Sequence, residues 1–387
     1  MVANTYVEIR KAYSELVRAC LQKRDPVCTW DNESIPKLIE FAIEGHITYP
    51  IASSLIKLDI DSEYKKRLSD ILKRSTFMTF VQSSACREIS AEFEKAGIRH
   101  QLLKGSVMKT IYPSMQMREM SDIDLVVYDE SLDEASKVLE KLGYTVAELV
   151  KHHMVFSKDP GIMVEAHWCL YDENVDHSQH IYFNNMRGRL KEGFKYTYEF
   201  SKEDFYIYMI AHMAKHFFET GCGIRNLMDI YVYLEKYKNE LDYKYIETEL
   251  TKCGLLDFEN HMKELAYIWL EDRQCSDFYE NLFAYMLDGG IYGRGENGIW
   301  SQLAKETTDN NNVRLHFYFP SYKFMVEKYG WLKKAPVLLP LAWVLRGVTG
   351  VASKQARDHR DNLNSTSKED TAKLLDIYHR LNLNFRR

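Results

Sequence analysis

The chain has 387 residues, a formal net charge of -5 and 45% hydrophobic residues, which is enough apolar material for a sizeable core. The mildly acidic balance and the lack of a long Lys/Arg run argue against nucleic acid as the default partner, although a local basic patch remains compatible with it. Seven scattered cysteines without a C-x-x-C pair argue against a disulfide framework or a zinc ribbon, and they fit a reduced cytoplasm.

Residues 1–96 are predicted to be helical, because apolar residues recur there at three- and four-residue spacing. The N-terminus has the pattern of an amphipathic helix and not that of a signal peptide. Gly97 suits the end of the last helix. We interpret this region as a packing layer or a wall of a cleft, and we favour a surface role for His46 and Tyr49 over contact with a substrate.

Residues 97–200 change to short strands and helices and are predicted to form a small mixed α/β core. Ile98 begins a short strand, and a short helix after it is broken at Pro113. The segment SDIDLVVY is rich in β-branched residues and predicts another strand. Asp159-Pro160-Gly161 then predicts the turn of a β-hairpin, and the polar stretch 170–200 predicts a connecting loop or short helices.

The remaining chain is predicted to be helical, as a bundle over 201–295 and a C-terminal region over 296–387 with a polar tail. The Gly-rich segment 288–300 predicts an exposed loop without a phosphate site, and 361–370 predicts a mobile linker. The apolar run 335–344 is too short to span a bilayer and contains two prolines, so we expect a buried or interfacial helix start there. The expected fold class is therefore α+β, a small mixed sheet flanked by helical regions.

Three acidic residues carry the first functional signal. Asp122 and Asp124 are two residues apart on a predicted strand, so their carboxylates point to the same face and repel each other unless a cation lies between them. Glu165, on the second arm of the predicted hairpin, faces the open side. Oxygen ligands of this kind suit a hard divalent metal.

A glycine turn carries the second signal. Lys104-Gly105-Ser106 follows a predicted strand and opens a helix, whose free amides and positive dipole end suit a phosphate. A metal and a phosphate together suggest phosphoryl or nucleotidyl transfer.

These blocks resemble the polymerase-β-like nucleotidyltransferase superfamily, and most closely its bacterial branch of uncharacterised nucleotidyltransferases. The matching segments are LLKGSVMKTIYP, REMSDIDLVV, LGY and VEAHW, followed downstream by AHMAKH and RNLMDI. The spacer between Ser106 and Asp122 is longer than in many relatives of the superfamily, though usual for this branch.

The resemblance implies roles for individual residues. Gly105 and Ser106 would hold the triphosphate of an incoming nucleotide through backbone amides and a hydroxyl. Asp122 and Asp124 would bind the metal pair, usually magnesium with manganese as a possible substitute. Glu165 would join one metal and take or orient the proton of the attacking hydroxyl.

Three neighbouring polar residues each allow two interpretations. Lys104 could neutralise a phosphate or be a solvated lysine, and Arg118 could clamp the triphosphate or pair with Glu119 or Asp122. His167 shares the face of Glu165, as its hydrogen-bond partner or as a structural histidine.

Three further candidates lie on the downstream helices. His212 and His216 lie four residues apart without the Glu of a zincin, so we expect them to line the cleft, with core packing as the alternative. Asp229 could pair with Arg225 or touch the sugar of a nucleotide.

The residues and the resemblance together predict a cytoplasmic, metal-dependent nucleotidyltransferase that uses an NTP, with ATP as the favoured donor, and a hydroxyl on an unknown small molecule or protein. The low basic charge disfavours nucleic acid as the acceptor, and no transmembrane segment is expected. Alternatives are an antitoxin-like or regulatory nucleotide-binding partner protein with the same fold, and a metal-dependent phosphohydrolase.

Overall fold

A computed structural model of the chain describes most of its residues, and all structural statements below concern them. They are residues 3–27, 32–128, 131–150, 153–171, 176–186, 188–307, 312–383 and 385.

Four N-terminal helices precede the sheet, as the apolar periodicity predicts. They are α1 (Ala3–Leu21), α2 (Ile35–Glu44), α3 (Thr48–Leu55) and the long α4 (Ser62–Ala96). Gly97 closes α4 in the left-handed conformation with φ of 76°, which costs glycine little. The chain then enters the sheet directly.

One mixed sheet of seven strands forms the centre of the protein, in the order β3-β4-β5-β2-β1-β7-β6. The strands are β1 (His100–Leu102), β2 (Ile123–Val127), β3 (Thr145–Val150), β4 (His153–Lys158), β5 (Ile162–His167), β6 (Arg189–Leu190) and β7 (Thr197–Glu199). The helices between them are α5 (Lys104–Ile111), α6 (Leu132–Lys141) and α7 (His177–Asn185). The predicted α+β fold class is thereby confirmed.

The alternation along β5 decides which residues face the site. Ile162, Val164 and Ala166 are buried on one face and pack in the hydrophobic cluster under α4 and α6. The side chain of Glu165 lies on the opposite face, as the strand period of two requires.

Helices resume after β7. They are α8 (Lys202–Glu219), α9 (Arg225–Tyr237), α10 (Tyr243–Lys252), α11 (Leu256–Glu271), α12 (Asp277–Gly289), α13 (Gly298–Glu306), α14 (Val313–Tyr318), α15 (Tyr322–Lys328), α16 (Leu339–Ala352), α17 (Lys354–Ser365) and α18 (Lys368–Leu381). The largest hydrophobic core joins the N-terminal helices, this bundle and the C-terminal helix α18. The helices α8 and α9, which border the site, belong to this core.

One sequence prediction about local structure is wrong, and one strand was not predicted. The segment 361–370, expected as a mobile linker, lies almost entirely in α17 and α18, because Leu363 and Thr371 are buried against the core. The strand β3 was not predicted. It pairs with β4 at the edge of the sheet, and its exposed Val146 and Leu149 do not follow a simple alternation.

Disulfides and membrane-spanning helices were not expected, and two observations on the described residues concern them. The cysteines that the structure describes form no disulfide, and Cys28 lies outside the described residues. None of the described helices combines the length and the apolar character that crossing a bilayer requires.

Candidate active site

Three carboxylates meet at one cavity from two neighbouring strands. β2 and β5 are parallel, and their register places Asp124 directly beside Glu165. Asp122 comes just before β2, and all three residues line a cavity of about 240 Å³. Asp124 and Glu165 are therefore adjacent on this side of the sheet, and Asp122 faces the same cavity.

The cavity is closed by the start of α5 and by the helices α8 and α9. Its walls combine charged, imidazole and apolar side chains. The lining residues are Lys104, Gly105, Met108, Arg118, Met120, Ser121, Asp122, Asp124, Glu165, Phe205, Tyr208, Met209, His212, Met213, His216, Cys222, Arg225, Asn226, Asp229, Ile291 and Tyr292.

Asp124 is the most strongly held of the three acids. Lys104 Nζ donates a hydrogen bond to Asp124 Oδ1 at 2.6 Å, and His167 Nε2 lies 3.1 Å from the same oxygen. Burial alone would raise the pKa of Asp124, but the charge of Lys104 and the hydrogen bond with His167 outweigh it and lower this pKa. Asp124 is therefore ionised over the physiological range.

The two neighbouring acids titrate differently. The hydrogen bond with His167 lowers the pKa of Glu165 against the effect of burial, and the two side chains lie 3.4 Å apart. Burial and the negative charge of Asp124 raise the pKa of Asp122 to about 6. A cation would remove the repulsion that raises the Asp122 pKa, so the site is electrostatically prepared for one.

The donor set fits a divalent metal ion. Ligand atoms of Asp124, Glu165 and His167 all lie within 4.8 Å of one another. Carboxylate oxygens suit magnesium or manganese, and the imidazole nitrogen suits manganese better than magnesium. The ammonium of Lys104 supplies a positive charge beside Asp124.

The first turn of α5 forms the edge of the cavity beside these acids. Its N-terminus has no side-chain cap, so the amides of Lys104 and Gly105 have no side-chain partner and suit an anion, whereas the Ser106 amide donates to the carbonyl oxygen of Leu103. A Cβ added at Gly105 would lie 2.9 Å from Met120 Cγ, so the close approach of the chain there favours glycine. Lys104, with φ of 44°, adopts the left-handed conformation just at this turn.

Ser106 does not take the position expected of it. Its hydroxyl lies 3.6 Å from Met120 Sδ and 3.7 Å from Cys86 Sγ, and Ser106 is not among the residues that line the cavity. Consecutive helical residues point about 100° apart, so the residue after Gly105 turns toward α4. The predicted hydroxyl contact with a triphosphate has no support in this arrangement.

Arg118 is engaged by a partner that the sequence did not predict. Its Nε and Nη2 donate to the carboxylate of Asp229, each at 2.9 Å, and its Nη1 donates to the backbone carbonyl oxygen of Glu119, so the carboxylate partner is neither Glu119 nor Asp122. Tyr112 donates to Asp229 at 2.7 Å, so Asp229 also does not pair with Arg225. Burial opposes the charge, but Asp229 raises the pKa of Arg118. The pair fixes the floor of the cavity.

Arg225, expected only as a possible partner of Asp229, is more available to a ligand than Arg118. Its Nη1 lies 3.3 Å from the carbonyl oxygen of Glu119 and 3.4 Å from His46 Nδ1. Within the described ranges it forms no salt bridge, and its buried Nε has no hydrogen-bond partner. Burial, and then the charge of Arg118, lower the pKa of Arg225 to about 10. An anion entering the cavity would relieve this unpaired charge.

Two residues for which the sequence predicted no place at the site, Tyr292 and His46, lie at the other end of the cavity. Tyr292, in the segment expected as an exposed loop without a role, hydrogen-bonds to Ser121 beside Asp122. His46 packs against the edge of the Tyr292 ring, with centroids 5.5 Å apart, instead of lying on the surface. These contacts join residues far apart in the chain, so no local pattern could have revealed them.

His212 and His216 both line the cavity. Their Nε2 atoms are 3.0 Å apart, so one ring donates and the other accepts. Burial, and then the nearby Lys104 charge, lower the pKa of both histidines, that of His216 to about 3. Both rings are therefore neutral in the folded protein at neutral pH.

This pair predicts acid sensitivity. The folded-state pKa of His216 lies below its ordinary value of 6.5, so the unfolded chain binds the proton more readily and stability is lost as pH falls below about 6.5. Between neutral pH and about pH 5, this group should contribute a loss of about 2 kcal/mol. Urea unfolding of wild type and His216→Gln at both pH values measures it, because the variant lacks this loss.

The matched control is His177→Gln, since His177 is exposed. That variant should keep the wild-type difference between the two pH values. An equal pH dependence in wild type and His216→Gln would contradict the assignment of a neutral buried imidazole.

Comparison with known proteins gives one match. The model of a family described as "Uncharacterised nucleotidyltransferase" matches residues 31–271, which is more than half of the chain and includes the sheet, α8, α9 and every carboxylate discussed above. No curated protein and no solved structure gives a significant match.

Proposed function

The chain belongs to the uncharacterised nucleotidyltransferase family, and from this premise we propose that it moves a nucleoside monophosphate from an NTP, with ATP as the favoured donor, to a hydroxyl group and releases pyrophosphate. The observation that carries the proposal is the meeting of Asp122, Asp124 and Glu165 at one cavity beside the start of α5. The acceptor is a small molecule or a protein, because the chain as a whole is acidic.

Asp124 and Glu165, whose ligand atoms lie within 4.8 Å of each other, would hold divalent cations together with Asp122, which lines the same cavity; the number of two ions follows by analogy with the superfamily. Magnesium or manganese bound there would stabilise negative charge on the attacking and leaving oxygens. The low pKa of Asp124 and Glu165 supports this role, because a carboxylate must be ionised to bind a metal.

The protein's own groups would position the reactants. The acceptor oxygen forms a bond to the α-phosphorus while the bond to the pyrophosphate oxygen breaks, and the hydroxyl proton passes to Glu165. His167, hydrogen-bonded to Glu165, fixes the orientation of that carboxylate. Lys104 neutralises charge next to Asp124 and can turn toward a phosphate once a cation occupies the site.

The triphosphate would lie between α5 and α9. Open amides at the start of α5, beside Gly105, suit phosphate oxygens. Arg225 is better suited than Arg118 to bind them, because Asp229 occupies the guanidinium of Arg118. A bidentate contact between Arg225 and a phosphate would replace the missing carboxylate partner.

Arg225→Gln tests this assignment. Loss of one charge-assisted phosphate contact should weaken ATP binding by about ten- to a hundredfold. Calorimetric titration with ATP and magnesium measures the affinity. The melting temperature should not fall, since burial and the charge of Arg118 already disfavour this cation in the folded protein.

Arg74→Gln is the matched control, because Arg74 is exposed on α4, away from the cavity. It should bind ATP as wild type does. If Arg225→Gln also binds ATP with wild-type affinity, the triphosphate lies elsewhere and the assignment of Arg225 is wrong.

We place the protein in the cytoplasm, supported by buried cysteine thiols such as Cys86 and Cys222 outside any disulfide. Thiols of this kind persist in a reducing compartment. The NTP that the reaction consumes is also found there.

The proposed function is tested by incubating the protein with magnesium and ATP labelled in the α- and γ-phosphates, together with candidate acceptors. Transfer releases labelled pyrophosphate and attaches the α-label to the acceptor. Release of inorganic phosphate alone would instead indicate a phosphohydrolase. Tight ATP binding without any product would indicate a regulatory nucleotide-binding protein.

A further inference from the structure

A second surface, unrelated to the cavity, lies beyond the family match. We call residues 313–354 the α14–α16 patch; it comprises α14, α15, α16 and their connections. Nearly half of the large apolar side chains that are exposed in the described residues lie here. A contiguous exposed apolar surface of this kind marks an interaction site.

The apolar side chains of α16 form one continuous face. Leu341, Val344, Leu345 and Val348 have the spacing i, i+3, i+4 and i+7, which places them on one side of a helix. Val344 is 62% and Val348 68% exposed, and Val337, just before the helix, is 84% exposed. The face is thus open to solvent along its whole length.

The opposite side of α16 holds the helix in this orientation. Ala342 is buried, and Trp343 Nε1 donates a hydrogen bond to the carbonyl oxygen of Pro320 at 3.0 Å. Arg346 donates to the carbonyl oxygen of Phe317 at 2.8 Å, and its guanidinium stacks on Phe317 and Phe324. These contacts fix which face points outward.

Charge distinguishes this patch from the rest of the molecule. Residues 313–354 contain seven Lys and Arg and one Glu, a formal charge of +6 in a chain of net charge -5. Lys333 and Lys334 are exposed directly before the apolar helix, and Lys354 is exposed directly after it. The exposed aromatic residues Tyr318 and Trp331 lie in the same segment.

We propose that the α14–α16 patch binds an anionic lipid surface, with the apolar face of α16 in the interfacial region and the lysines at the level of the headgroups. An apolar helix face flanked by lysines, with Tyr and Trp at its border, is the arrangement that lies in a membrane interface. The attraction between the local charge and anionic lipids supplies the rest of the binding.

A second copy of the chain fits this patch poorly. A twofold dimer would bring the same patch of each copy together, and so place +6 against +6. A bilayer surface instead provides negative charge at the headgroups and an apolar layer directly beneath them.

The experiment is sedimentation of the full-length protein with vesicles of phosphatidylglycerol and phosphatidylcholine, compared with phosphatidylcholine alone. We expect binding to the anionic vesicles, little binding to the neutral ones, and weaker binding as salt rises. Absence of binding to the anionic vesicles at low salt would overturn the proposal.

Two variants separate the apolar and the charged contributions. Val344→Asp with Val348→Asp should abolish vesicle binding, because it places carboxylates on the inserted face. Lys333→Gln with Lys334→Gln should weaken it roughly thirtyfold. All four positions are exposed, so the fold should be kept, and far-UV circular dichroism checks this.

Matched controls change equivalent residues elsewhere. Phe77→Asp with Phe80→Asp introduces carboxylates at exposed apolar positions of α4, and Lys236→Gln with Lys244→Gln removes two exposed lysines of α9 and α10. Both should bind vesicles as wild type does. Equal binding by the patch variants, or a wild-type dimer that Val344→Asp with Val348→Asp dissociates, would overturn the proposal.

Discussion

Asp124→Asn is expected to lower the rate of nucleotidyl transfer by about a thousandfold or more. Asp124 is the acid that the other groups of the site surround: Lys104 and His167 both contact its Oδ1, and Glu165 lies beside it on the next strand. An amide keeps the shape of the side chain but not the charge that a divalent cation needs. The measurement is the single-turnover rate with saturating ATP and magnesium.

The control for this variant is Asp159→Asn, at an exposed position in the turn between β4 and β5. It should retain the wild-type rate. Because Asp124 is buried beside Lys104, the melting curve of Asp124→Asn must also be recorded to confirm that it is folded. A folded Asp124→Asn protein with the wild-type rate would rule out the assigned role of this acid.

Asp229→Ala should give the largest loss of stability, about 3–5 kcal/mol in the free energy of unfolding. The substitution removes the carboxylate that accepts from Arg118 and from Tyr112, and so leaves a buried guanidinium without its partner. Urea unfolding measures the loss. Asp70→Ala is the control: Asp70 pairs with Lys73 at the surface, where such pairs contribute less than about 1 kcal/mol.

A double-mutant cycle separates the energy of the Arg118–Asp229 ion pair from the cost of the void that Asp229→Ala leaves. Adding Arg118→Met to Asp229→Ala removes the unpaired charge and should recover part of the lost stability. If Asp229→Ala alone costs no more than Asp70→Ala, the buried pair does not hold the floor of the site.

The part of the site that local patterns encode could be predicted from the sequence. The spacing of Asp122 and Asp124, and the place of Glu165 on a hairpin arm, indicate which face of its strand each carboxylate occupies. The parallel pairing of β2 and β5 then brings the carboxylates together. The glycine at the start of α5 is also a local signal. Predicting these features requires only the two-residue period of a strand and the recognition of a helix start.

The remaining features depend on tertiary packing. Arg225 stands at the cavity because α9 packs against α5, and its lack of an acidic partner follows from Asp229 turning to Arg118. Ser106 faces Cys86 because of the direction in which α5 leaves the sheet. Neither the composition nor the spacing of these residues contains that information.

Polar composition was misleading at the C-terminal end. Residues 361–370 are hydrophilic enough to suggest a linker, yet Ser367 caps α18 by accepting from the Asp370 amide. Leu375 and Leu381 of the same helix are buried. A few apolar anchors were sufficient to order a mostly polar segment.

The most direct test of the central claim is a crystal structure with manganese and a non-hydrolysable ATP analogue, in which anomalous scattering locates the metal. We expect manganese bound by Asp122, Asp124 and Glu165, with the triphosphate running from the start of α5 toward Arg225. Manganese or the nucleotide bound away from these carboxylates would contradict the claim that this cavity carries out nucleotidyl transfer.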